Sequence, residues 1–169
     1  MASPNFMALL KGRPTTDLLG SVTGPETGAS SIACTVATLA MTKAEHAGRL
    51  IILDRAAGIA VTLPPASGSG AVYRFFVKTT ITSNTTTIKV ANASDSMLGM
   101  ALTFPDDATP VGGWAVAAND DTITINGSSQ GGYLGDQITI TDVATNLFMV
   151  LACLRQTGTE ATPFSASVT

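Results

Sequence analysis

The chain has 169 residues, of which 45% are hydrophobic and only 12% charged, with a formal net charge of −3. That is about one domain, too apolar for a disordered chain and without the basic excess that a nucleic-acid partner attracts. The longest nearly pure apolar run, Leu147 to Leu154, has eight residues, far short of the ~20 a membrane-spanning helix needs. A mean hydropathy of +0.33 with so little charge implies surface that is kept from water by assembly.

Residues 1–31 differ from the rest. SerPro, GlyArgPro, ThrGlyProGluThrGly and GlyAlaSerSer punctuate them, and Phe6–Leu10 and Leu18–Leu19 are their only apolar anchors. Such a segment cannot build a core of its own and reads as an extended arm that docks elsewhere, or else as a loose terminus. Lys11 and Arg13 follow the apolar patch, the reverse of a secretory signal's charge order, so no targeting segment is expected.

From residue 32 to 169 the hydrophobic period is two. Ile59, Val61 and Leu63 alternate with Ala60 and Thr62; Tyr73, Phe75 and Val77 share a face, as do Leu98, Met100, Leu102 and Phe104. This is the pattern of half-buried strands. The runs Leu50–Leu53 and Leu147–Leu154 are continuously apolar, as expected of central strands covered on both faces. Turn clusters at 64–70, 83–84, 106–107, 119–121 and 127–132 separate roughly eight to ten short strands, and Lys43–Ala47 is the one helical turn. The expected fold is therefore all-β: an antiparallel β-sandwich or jelly roll over residues 32–169. A solenoid would need a repeat of fixed period. The closest match, ThrIleThrIle at 122–125 and IleThrIleThr at 138–141, occurs once and reads as one hairpin.

Charge is segregated. Residues 1–89 carry eight basic and four acidic side chains, whereas residues 90–154 carry seven acidic side chains and neither Lys nor Arg. Either one edge of the fold is acidic and meets a basic surface, or the two halves interleave and cancel.

Candidate chemistry is sparse. His46 is the sole histidine, and it lacks the partners that acid–base catalysis requires; a turn or capping role fits it better. HExxH, SxxK and P-loop spacings are missing. GlySerGly at 68–70 reads as a turn, because no helix follows to form a phosphate cradle. Asp106–Asp107 and Asn119–Asp120–Asp121 offer oxygen ligands of the kind calcium takes, without EF-hand spacing and in ordinary turn chemistry, so no metal or cofactor is assigned. Trp114 sits on an alternating strand, where core packing is favoured over sugar stacking. Cys34 and Cys153 lie in apolar runs and read as buried free thiols. An enzyme is not expected.

Residues 49–78, followed by ThrSerAsnThrThrThrIleLysVal at 82–90, carry Gly58, Val61, Thr62, Leu63 and Pro64, then Gly68, Gly70, Tyr73, Phe75 and Val77. This opening strand, small-residue turn and aromatic strand resemble a module of tailed-bacteriophage virion structural proteins, most of all head decoration (cement) proteins. The likeness covers some forty residues clearly. It implies a β-sandwich, a homotrimer and attachment to other virion subunits, here the major capsid protein on the capsid exterior. On this expectation Phe6, Leu9, Leu10, Leu18 and Leu19 are the capsid-contact anchors of the arm. The alternatives are a tail-fibre or tail-adaptor module, although heptads are missing, and a lectin-like carbohydrate-binding module using Trp114.

Overall fold

A computed structural model of the chain describes residues 31–107 and 110–168. The expected anchors Phe6, Leu9, Leu10, Leu18 and Leu19 lie outside the described residues.

Within them the chain is nearly all β. The strands are β1 (Ile32–Cys34), β2 (Thr38–Ala40), β3 (Leu50–Leu53), β4 (Ala60–Thr62), β5 (Val72–Val77), β6 (Thr86–Lys89), β7 (Ser96–Pro105), β8 (Gly112–Ala115), β9 (Thr122–Ile125), β10 (Gln137–Ala144), β11 (Leu147–Gln156) and β12 (Phe164–Ser165). The helical turn α1 (Lys43–His46) follows β2 as its sequence predicts. Thr42 caps it, accepting the Glu45 N–H on its hydroxyl and donating that hydroxyl to the Glu45 carboxylate.

Two sheets form, with strand orders β1-β3-β5-β10-β11-β7-β8 and β12-β9-β6-β4-β2. The wholly antiparallel arrangement expected from the sequence does not occur: β1-β3, β3-β5, β2-β4, β4-β6 and β7-β11 are parallel ladders. The reason lies in the first six strands, which alternate between the sheets so that each pair winds one coil beside the last. Coil length varies. Ile51 lies 19 residues after its partner Ile32, and Phe75 lies 24 residues after Ile51. Unequal loops erase any fixed period, so a search for repeats passes over the coils. The pair at 122–125 and 138–141 is also not a hairpin: β9 joins the smaller sheet between β12 and β6, while β10 joins the larger one between β5 and β11.

The registers line up the core. Across the larger sheet Ile51, Phe75, Ile138, Ala152 and Ala101 are successive neighbours. Across the smaller one Leu39, Val61, Ile88, Ile123 and Phe164 are. All but the half-buried Leu39 are buried, and the inward side chains of both sheets make one hydrophobic cluster. Close strand approach demands glycine at Gly99 on β7. Its φ is +127° and a Cβ there would run into the carbonyl oxygen of Val150 on β11.

Candidate functional site

Fewer than half of the aspartates in the acidic half of the sequence reach the surface. Of its seven aspartates, Asp95, Asp121, Asp136 and Asp142 are buried, and each accepts backbone N–H groups. A carboxylate buried in this way replaces lost hydration with fixed donors. Asp142, on β10, gathers the turn between β4 and β5: it accepts the N–H groups of Ser67, Gly68 and Ser69 and the hydroxyls of Ser67 and Ser69. Burial alone would raise its pKa, but these bonds outweigh it and hold the carboxyl at about 2. The SerGlySer motif is thus a carboxylate clasp, and GlySerGly at 68–70 is a turn as expected. Asp136 accepts the N–H groups of Gly132, Tyr133 and Arg155; burial outweighs them, and its pKa is raised. Asp121 ties down the C-terminal residues through the Ser167 and Val168 N–H groups. Burial opposes ionisation there too, yet these bonds and the Thr122 hydroxyl hold its pKa low.

These pins leave little for ligand chemistry. A cleft of ≈ 360 Å³ is lined by Asp95, Asp121 and Asn119 among others. Asp95 Oδ2 is taken by the Ala66 N–H and the Asn92 amide, while Oδ1 is buried without a partner. Among the described residues no group of three or more His, Cys, Asp or Glu side chains is placed to hold a metal. His46 is buried at the end of α1 with Nδ1 at 3.1 Å from the Thr42 N–H nitrogen, a turn role. Trp114, on the edge strand β8, is half-buried against the core and donates its indole N–H to Gln156.

The outer face of the larger sheet is different in kind. β11 is central in the sheet, yet it is covered on one side only: Phe148, Val150, Ala152 and Leu154 point inward, while Met149, Leu151 and Cys153 face out. This corrects two expectations, a strand covered on both faces and a pair of buried thiols. Cys34 is buried, and that burial pushes its thiol pKa up; Cys153 is exposed, and both thiols are free. On the neighbouring β7 the long side chains Leu98, Met100, Leu102 and Phe104 also point out, and Met97, Ala101 and Thr103 point in.

Register places these residues side by side. Met149 lies beside Leu98, Leu151 beside Met100, Cys153 beside Leu102, and Arg155 beside Phe104. The six large apolar side chains are each between 41% and 52% exposed. Thr139 and Thr141 of β10 flank them on one side and Ala115 and Gly113 of β8 on the other. Charge enters only at the margins. Arg155 stacks its guanidinium 4.2 Å from the centre of the Tyr133 ring. Arg74, on β5 beyond Thr139, donates to the Gly48 carbonyl.

Sequence periodicity found the Leu98–Phe104 stripe but not its direction. The signal that could have found it is the other face: Gly99, Ala101 and Thr103 are the small residues a strand turns toward a crowded interior. No family model, curated protein or solved structure matches the chain. None of the helices among the described residues is long and apolar enough to cross a membrane.

Proposed function

We propose that the chain is a non-enzymatic virion structural protein: a capsid decoration protein that binds the outer surface of a phage head as a homotrimer and bridges its capsomers. The observation that carries this reading is the unbroken apolar outer face of β7 and β11. Six side chains exposed to this degree leave on the order of 500 Å² of apolar surface in one patch, near the upper end of what a monomer leaves to water.

In this reading the two mixed sheets stack as a β-sandwich over their shared core. The partners are further copies of the chain and the major capsid protein, with residues 1–31 making the capsid contact through Phe6, Leu9, Leu10, Leu18 and Leu19. Linking symmetric copies multiplies weak individual contacts into firm attachment. The likeness of residues 49–78 to phage virion modules is what points to a head rather than to assembly in general. The reading calls on no cofactor, nucleic acid or membrane.

Co-sedimentation with emptied heads tests it. Saturable binding is expected, along with retention of a folded oligomer that no longer binds when residues 1–30 are deleted. Heads that take up none of the full chain at any concentration would contradict the reading.

A further inference from the structure

We infer that the outer face of β7 and β11 is the surface by which copies of this chain meet one another, rather than the surface that seats on a capsid. The inference rests on the assembly reading above and assigns its partner at this face.

Three features select a second copy. The face carries neither charge nor a strong hydrogen-bonding group in its centre: its middle rows are Leu151 beside Met100 and Cys153 beside Leu102. It therefore complements another apolar surface, and in the proposed trimer every copy brings this same face to its neighbours around the symmetry axis. Its area also fits. With the flanking Thr139, Thr141, Ala115 and Gly113 the face approaches the ~800 Å² that each partner contributes to a standard interface. Finally, the charged and hydrogen-bonded groups stand at its margins, where an interface keeps its polar rim: Arg155 on Tyr133 at one end, and Arg74 at the far side of β10.

The contact needs no rearrangement of the fold. β7 and β11 are held from beneath by Phe148, Val150, Ala152 and Ala101, all buried, so the outward side chains present a preformed surface. Cys153 lies within the face, between Leu102 on β7 and Gln137 on β10, and reports whether the face is covered.

The experiment pairs two readouts on the full-length chain. The first is the solution mass of Met100→Glu/Leu151→Glu, with head binding measured alongside. Both substitutions fall on outward positions and leave the inner face unchanged, so a folded species of one-chain mass is expected. The second uses the wild-type protein and an aromatic disulfide reagent. Cys153 is expected to react about tenfold or more slowly in concentrated, assembled protein than after dilution to single chains. This readout stands even where the double variant does not fold. A variant that keeps the wild-type mass, or a Cys153 rate independent of concentration in a protein that assembles, would overturn the inference. Loss of head binding at unchanged mass would assign the face to the capsid, and the decoration reading would survive. Wild-type protein that assembles through this face yet never binds heads would leave the inference standing and contradict the decoration reading.

Discussion

Asp142 accepts the Ser69 hydroxyl at 2.6 Å across 73 residues of sequence, joining the bulge at the end of β10 to the turn that precedes β5. Five donors converge on this one buried carboxylate. Replacing Asp142 with Ala removes all five bonds; their donors sit in the exposed residues Ser67, Gly68 and Ser69 and return to water, so the loss is the net worth of hydrogen bonds to a charged group, about 1.5–3 kcal/mol for a typical one. Asp142→Ala is therefore expected to lower unfolding stability by about 3 kcal/mol or more, measured by urea denaturation. Asp142→Asn keeps the shape but turns an amide donor toward donors, and is expected to lose much of the same stability. A change in either variant within experimental error of zero would remove the clasp from the account.

The same clasp has a pH signature. The pKa of Asp142 is held at about 2, and that of Asp121 is also lowered, against ~3.9 for an aspartate in an unfolded chain. Depressed carboxyls stabilise the fold above the unfolded value, and that stability is lost as pH falls through the folded one. Asp136 has the opposite sign: its raised pKa favours folding below the unfolded value, and this is lost as pH rises through its folded pKa. The urea midpoint is expected to fall as pH drops from about 4 toward 2, and to fall less steeply in Asp142→Asn. An equal slope in the two proteins would contradict the assignment.

Gly99 lies beside Val150 of β11 in the ladder, and its φ of +127° suits glycine alone. Gly99→Ala combines that strain with a clash against the Val150 carbonyl. A loss of about 3 kcal/mol or more is expected, because both the backbone and the ladder must shift. Thermal unfolding checks it. A melting temperature equal to wild type would mean that the two strands are not packed this closely.

Cys34 is buried with a raised thiol pKa, and thiolate is the reactive form. It is expected to resist thiol reagents in the folded protein and to react only on unfolding, as followed in Cys153→Ser, where it is the sole cysteine. Rapid reaction of that variant under native conditions would contradict the burial of β1.

Much of the β content was legible in the sequence, because alternation at Ile59–Leu63 and Tyr73–Val77 states both strand and core face. Direction was not legible where both faces are apolar. On β11, Phe148 and Met149 are equally hydrophobic, and only the sheet beneath decides which is covered. Ladder sense was also hidden. Parallel pairing of β1, β3 and β5 is set by where the chain crosses between sheets, and no local pattern records that crossing. The charge asymmetry was visible but misleading, because an aspartate bound by backbone N–H groups looks the same in sequence as one facing water. GlySerGly at 68–70 reads as a turn, and the partner of that loop, Asp142, lies too far along the chain to be guessed.

The central claim is that this chain is built to be covered by other copies of itself. Its most direct test is the light-scattering mass of the purified protein over a range of concentrations. A defined multiple of the 17.2 kDa chain that dissociates only on dilution is expected. A mass of one chain at every concentration would contradict it.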